Sequence, residues 1–271
     1  MRIPIYQVDA FTSQLFGGNP AAVCPLEKWL DDQTMQNIAA ENNLSETAFY
    51  VKKNNEFELR WFTPAIEVDL CGHATLASAH VIFNHSDFKE KVIKFQSRSG
   101  ELRVTKSGDL LTLDFPASKP DPFPEMPEGL VEALGMKPME LYKSRDLLAL
   151  FNREEEIVSL DPEFDVLLDV LSTLDCLGLI VTAPGNEVDF VSRFFAPPAG
   201  INEDPVTGSA HTTLTPFWAE KLNKNKLHAF QLSKRKGELF CEMAGEAGDR
   251  VLIGGRAVTY LKGEIEVPKV S

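Results

Sequence analysis

Long apolar runs are missing from this chain. Its greasiest stretch, LLDVLSTLDCLGLIV, carries Asp169 and Asp175, whereas a bilayer-spanning helix needs about 20 consecutive apolar residues. The opening MRIPIYQVDAF also lacks the apolar segment of a secretory leader. Cysteine is scarce. Four residues, Cys24, Cys71, Cys176 and Cys241, show no CxxC spacing, which argues against a zinc knuckle or a disulfide framework. Positive charge is in deficit: 27 Lys and Arg against 40 Asp and Glu leave a formal net charge of -13. Such a surface repels a phosphate backbone or an anionic bilayer, so neither nucleic acid nor membrane is an expected partner. A small anionic substrate held by a few local donors remains compatible with that balance. The expectation is a soluble, cytoplasmic protein with reduced thiols.

What is present is an ordinary globular composition, 44% hydrophobic and 25% charged over 271 residues. That length admits one large domain or two moderate ones. An internal repeat points to two. The segment FELRWFTP begins at Phe57, and FVSRFFAP begins at Phe190; Arg60, Phe62 and Pro64 meet Arg193, Phe195 and Pro197 at the same displacement of 133 positions. Gly72 and Ala74 then match Gly208 and Ala210, Phe95-Gln96 matches Phe230-Gln231, and Gly100-Glu101-Leu102 matches Gly237-Glu238-Leu239. Four landmarks in one order with little drift indicate a duplication. Between the halves, Pro116, Pro120, Pro122, Pro124 and Pro127 forbid helix and remove ladder donors, so 116–127 reads as an extended connector. The expected lobes are 1–118 and 119–271, with an active site in the cleft between them.

Each half shows the same grammar. Alternating strand patterns come first, IPIYQVDAF, SETAFYVKK and FELRWFTP in one half and VDFVSRFFAP in the other. A glycine then opens a helix. The segment after Gly72 is apolar on every face, which marks a buried helix. Its counterpart after Gly208 contains Pro216, so a kink or a late start is expected there. A surface helix is expected over 31–42, capped by Asp31 or Asp32, with Met35, Ile38 and Ala39 facing inward. The fold class is α+β: two pseudo-symmetric lobes, each a curved, mainly antiparallel, barrel-like sheet around a central helix.

A helix N-terminus exposes unpaired N–H groups and partial positive charge, and glycine lets backbone approach a ligand closely. Gly72 and Gly208 alone would be read as devices for tight turns. As a repeated pair they read as a clamp for a carboxylate, or for an enolate forming in a transition state.

The segments VDAFTSQLFGGNPAAV, IAAENNLSETAFY, RWFTPAIEVDLCGHATLASAH and FFAPPAGINEDPVTGSAHTTL together resemble the phenazine-biosynthesis (PhzF-like) family, within the diaminopimelate-epimerase-like superfamily. The resemblance implies a cofactor-independent isomerase that moves a proton at carbon on a small carboxylated substrate, cyclic or amino-acid-like. It implies Glu46, in the Ser-Glu-Thr motif, as general acid/base, with His73 and Asp204 also catalytic. It also places His73 and Ser209 at the substrate, so that with the glycines of the clamp the expected substrate-binding positions are Gly72, His73, Gly208 and Ser209. It also admits a homodimer.

Taken residue by residue, these positions also admit purely structural roles. Glu46 heads an apolar strand and could be solvated there. His73 could be a hydrogen-bonded core residue, and Asp204, before Pro205, a turn residue. His211, two residues after Ser209, could approach the cleft. Superfamily relatives that epimerise amino acids resemble this chain but use one thiol per lobe. Cys71 stands where the first would be, but the matching position is Thr207, whose hydroxyl is too weak an acid for that work. A cysteine-dependent epimerase using Cys71 is therefore disfavoured. No nucleotide or flavin motif is present, and Glu67, Asp69, Cys71 and His73 alternate like a strand rather than like metal ligands. The competing functional class is a catalytically silent ligand-binding or scaffold protein.

Overall fold

The computed structural model describes residues 1–268. The chain forms two compact units, Met1–Asp114 with Gly254–Ser271, and Phe115–Ile253. The first unit contains β1 (Arg2–Ala10), β2 (Asn19–Leu26), α1 (Asp32–Asn42), β3 (Glu46–Lys53), β4 (Glu56–Phe62) and β5 (Glu67–Val68). It continues with α2 (Gly72–His85), β6 (Val92–Ser97), β7 (Gly100–Ser107) and β8 (Leu110–Pro116). The second begins with β9 (Asp121–Pro122), α3 (Leu130–Leu134), β10 (Glu140–Lys143), β11 (Leu147–Leu150), α4 (Glu154–Ser159) and α5 (Phe164–Thr173). It proceeds through β12 (Leu179–Pro184), β13 (Phe190–Ala196), β14 (Ile201–Glu203), α6 (Gly208–Leu222), β15 (Lys226–Gln231), β16 (Gly237–Ala244) and β17 (Arg250–Gly255). The last strand, β18 (Ala257–Glu266), belongs to the first unit.

The fold is mixed α+β, and the pairing order recurs. In the first unit β2 runs parallel to β3, β3 antiparallel to β4, and β4 is flanked by antiparallel β5 and parallel β6, which pairs with β7. In the second, β11 runs parallel to β12, β12 antiparallel to β13, and β13 is flanked by β14 and β15, which pairs with β16. The expected boundary at 118/119 differs from this division at the C-terminus. Strand β18 pairs with β1 along its whole length, Arg2 opposite Glu266 and Ala10 opposite Ala257, so the chain from Gly254 through β18 returns to the first unit. The proline-rich connector behaves reciprocally: Asp121 and Pro122 pair with β10 at the start of the second unit.

Helix α2 is the core of its unit. Nine of its residues, from His73 to Ile82, are buried, and it packs against β1, β2, β3 and β18. Surface helix α1 follows the sequence expectation closely. Asp31 caps it by accepting from the Thr34 N–H at 2.9 Å, and Met35, Ile38 and Ala39 are its buried residues. Such a cap stabilises a helix by about 1 kcal/mol.

Helix α6 starts at Gly208 and continues past Pro216, so the expected late start does not occur. Pro216 has no N–H for the carbonyl of Thr212 one turn earlier. That carbonyl instead accepts from the Ser118 N–H at 3.0 Å. The helix keeps its proline because the connector satisfies the orphaned acceptor.

The repeated arginines explain part of the repeated sequence. Arg60 makes a two-pronged contact with Glu67, both bonds at 2.7 Å, and lies over the Phe62 ring. Arg193 binds Glu203 in the same manner at 2.7 and 3.0 Å and lies over Phe195. Bidentate, partly buried pairs of this kind fix geometry as well as contributing energy. They tie the short third strands, β5 and β14, to the strands that lead into each glycine-opened helix.

Candidate active site

Three segments of the first unit converge on His73. Glu46 is the first residue of β3, Asn19 the first of β2, and Cys71 the residue before α2. The His73 imidazole lies with Nε2 at 3.0 Å from Glu46 Oε2. On the other edge, its Nδ1 is 3.2 Å from the Asn19 amide nitrogen and 3.5 Å from Cys71 Sγ. The His73 side chain is 5% exposed and that of Glu46 13%. The 3.0 Å contact is not aligned as a hydrogen bond, and neither Glu46 Oε2 nor His73 Nε2 has another partner. With the Asn19 amide donating to Nδ1, a neutral imidazole carries its proton on Nε2, toward Glu46.

The electrostatics follow from this packing. Burial works against the charged imidazolium, but the Glu46 carboxylate at 3.0 Å outweighs it and holds His73 above the ordinary histidine range. Burial, reinforced by the Glu46 charge, pushes the Cys71 thiol up to about 11. Cys71 is therefore a neutral thiol near pH 7, which suits neither a nucleophile nor a base. Cys71 makes no side-chain capping hydrogen bond at the start of α2.

The second unit builds a different arrangement at the matching helix. Thr207 precedes α6 and likewise makes no side-chain cap. Its hydroxyl donates to Asp204 Oδ2 at 2.6 Å, and its N–H donates to the Gln231 side-chain oxygen at 2.8 Å. The Gln231 amide nitrogen donates to the Asp204 carbonyl at 2.8 Å and to Thr207 Oγ1 at 3.1 Å. Gln231 is fully buried, and it fixes the turn that delivers Gly208 and the exposed Ser209 to the helix start.

His211 does not present itself to solvent. It is fully buried, its Nδ1 lies 2.8 Å from the Thr207 carbonyl, and its ring lies 5.9 Å from Phe190. Burial lowers its pKa to about 4. In α2 the matching residue is Thr75, whose hydroxyl donates to the Cys71 carbonyl at 2.6 Å. Both helices thus brace the carbonyl just before their first residue, one with threonine and one with histidine.

The positions read from sequence therefore gather into two clusters. Glu46, Cys71, Gly72 and His73 form one, and Asp204, Thr207, Gly208 and Ser209 the other, with His211 behind it as a brace. Two members were missed: Asn19 and Gln231. The signals were available, since Asn19 lies in the GGNP segment and Gln231 in a repeat landmark. Neither residue type by itself announces a site.

This geometry has relatives. The phenazine biosynthesis-like protein family matches residues 8–263, and the chain belongs to it. An uncharacterized isomerase of Pseudomonas aeruginosa is 51% identical over 98% of this chain and 100% of its own length. A crystal structure of a phenazine biosynthesis protein of the PhzF family from Enterococcus faecalis superposes with a TM-score of 0.93 at 49% identity, covering 98% of this chain and 100% of that one. A hydroxyproline epimerase from Agrobacterium vitis shares the fold alone, with a TM-score of 0.63 at 10% identity over 97% of this chain and 92% of its own. The family and the relatives place this chain among the isomerases. Among the described residues, no helix is long and apolar enough to cross a membrane.

Proposed function

We propose that this chain is a cofactor-independent isomerase that moves a proton on a small carboxylated metabolite, cyclic or amino-acid-like, with Glu46 as general acid and base. The observation that carries the reading is the contact between Glu46 Oε2 and His73 Nε2 at the start of a buried helix. The carboxylate takes a proton from an acidic carbon, and the electron pair left behind delocalises into the substrate's conjugated system. Returning the proton to a different carbon shifts the double bond with no net change of electrons. His73, biased toward its protonated form, holds positive charge beside the carboxylate and can restore a proton to it.

The uncapped amides opening α2 and α6, near Gly72 and Gly208, suit a carboxylate or a developing enolate. In the second unit, Ser209 and Asp204 offer a hydroxyl and a carboxylate beside the start of α6. Base, acid and anion-holding donors are thus all available from the chain's own groups. The recurring strand pairing supports descent from a duplicated half. Four free, buried cysteines accord with a reducing, cytoplasmic setting.

A cysteine-dependent epimerase is less well supported, because the Cys71 thiol is held near 11 and its counterpart is Thr207. Survival of activity in Cys71→Ala removes that rival. The main test uses a panel of small cyclic carboxylates in deuterium oxide. The wild-type protein should exchange a carbon-bound hydrogen with solvent, and Glu46→Gln should abolish the exchange while retaining its fold. Exchange at the wild-type rate in that variant sinks the assignment. A protein that binds a panel member without exchanging its hydrogens is instead a silent binder.

A further inference from the structure

Five polar side chains meet at the far end of α2, away from the candidate site. His80 and His85 both reach the Thr259 hydroxyl of β18, with Nε2 at 2.9 and 3.0 Å from Oγ1. The Asn84 amide nitrogen lies 3.1 Å from His80 Nδ1, and Lys106 of β7 donates to Asn84 Oδ1 at 3.0 Å. Thr259 stands opposite Val8 of β1, beside a bulge that adds Tyr260 to β18. Bulges re-aim side chains, and this one lies where β18 meets the two histidines.

Donors and acceptors give this cluster a direction. An ammonium group only donates, so Lys106 holds the Asn84 oxygen toward itself and turns the amide nitrogen to His80. His80 Nδ1 is then the bare nitrogen, and its proton sits on Nε2, donated to Thr259. The Thr259 hydroxyl has one hydrogen of its own. Its acceptor is the bare Nε2 of His85, which puts the His85 proton on Nδ1. The chain runs Lys106, Asn84, His80, Thr259, His85 without a clash. It requires two neutral rings of opposite tautomer.

We propose that His80, Thr259 and His85 form an acid-sensitive lock between the last turns of α2 and the returning strand β18. A proton added to His80 lands on Nδ1, against the Asn84 amide. Asn84 can accept it only by turning its oxygen away from Lys106. A proton added to His85 lands on Nε2 and removes the acceptor of the Thr259 hydroxyl. Either event breaks the chain, and the neighbouring charges do not repair it. Those that act on the rings are cationic: His85 and Lys106 of β7 on His80, and Lys262 of β18 on His85. Strand β1 contributes the Tyr6 ring, stacked on His85 at 4.8 Å.

Burial and these cations hold His80 at about 4, below the usual histidine value of about 6.5. The open form takes up its proton first as pH falls. The lock is therefore closed above about pH 6.5 and loosens as pH drops toward 4. From His80 alone, the open-to-closed ratio should rise about twentyfold between pH 7 and pH 5. The same helix begins with Gly72 and His73, so the lock fixes the far end of the element that positions them.

Nuclear magnetic resonance on the intact chain tests this in two ways. Long-range nitrogen–proton spectra at pH 7 should show His80 protonated on Nε2 and His85 on Nδ1. The same tautomer in both rings overturns the chain. Amide exchange, corrected for its intrinsic pH dependence, should quicken at least tenfold over 81–85 between pH 7 and pH 5. The far end of the β1–β18 ladder, from Arg2 to Ile5, should keep its protection. Loss of protection in both places together is global unfolding and counts against a local lock. Thr259→Val keeps the branched shape without the hydroxyl, and should already exchange at least tenfold faster than wild type over 81–85 at pH 7. Wild-type exchange in that variant sinks the proposal.

Discussion

The beginnings of β3 and β12 occupy the same place in the two units and carry opposite chemistry. Thr47 pairs with Phe62 in the first unit, and Leu179 pairs with Phe195 in the second. With Phe62 and Phe195 matched by the repeat, Glu46 corresponds to Gly178. A Cβ on Gly178 would lie 2.3 Å from the Phe194 ring, so an aromatic side chain fills the space that a base would need. The next helix shows the same division. Before α2, Cys71 leans on His73 and leaves it to Glu46; before α6, Thr207 is bound to Asp204 and Gln231. One backbone plan thus yields a titratable cluster in one unit and a hydrogen-bonded, rigid one in the other. A recurring strand plan does not repeat a reactive group unless the surrounding side chains leave room for it.

The comparison can be broken hardest at Glu46. Glu46→Gln should lower solvent exchange by about 10²–10⁴, the usual contribution of a placed acid/base, with little change in the unfolding midpoint. A loss below tenfold would erase the functional distinction between positions 46 and 178.

The repeated glutamines provide the next test. Gln231→Leu leaves the Thr207 N–H without its buried acceptor and should cost about 3 kcal/mol, read by denaturant unfolding. Gln96, its repeat partner, is exposed and reaches only Glu56 and Glu101. Gln96→Leu should change stability by less than about 0.5 kcal/mol. Equal costs would show that Gln231 does not brace its turn.

Acid should separate the two helix braces. His211 is fully buried with a pKa lowered to about 4, so the unfolded chain takes up its proton first as pH falls. Its stabilising contribution is present above about pH 6.5 and declines as pH falls toward 4, by about 3 kcal/mol in all. His80 in the first unit, also lowered to about 4 by burial, adds to the same decline. Thr75, the brace of α2, does not titrate. Urea unfolding at pH 7 and pH 5 should show the loss, and His211→Gln should reduce it. An unchanged pH dependence in that variant would contradict the burial of a neutral imidazole.

Among the variants expected to lose stability, Gly178→Ala should lose least. Overpacking against Phe194 should cost about 2 kcal/mol, measurable as a lower unfolding midpoint with exchange activity retained. A neutral outcome would mean that steric exclusion does not keep a side chain from that position.

Much of this was legible in linear form. The spacing of Met35, Ile38 and Ala39 placed α1, the all-round apolar segment after Gly72 placed a buried helix, and the repeated Arg and Phe positions marked β4 and β13, which carry like arginine–glutamate pairs. These features are local or periodic, and local geometry maps them directly onto helices and strands. The motifs also brought Glu46, His73 and Asp204 forward through resemblance. The return of β18 to β1 was not legible, because strand partners separated by most of the chain leave no periodic mark. Nor was the fate of Pro216, which depends on an N–H from the connector, or the burial of His211.

Composition, repeat and motif by themselves determined the class of fold, the family, and which polar residues stand out from an apolar background. Only the tertiary structure decided what those residues do to one another. It put Cys71, His73 and Glu46 within reach, made Gly178 the empty counterpart of Glu46, and turned Gln231 from a repeat landmark into a buried brace. The physical reason is that side-chain chemistry depends on distance, burial and competing partners. Those are set by which strands pair and which helix fills the sheet, not by the order of residues along the chain.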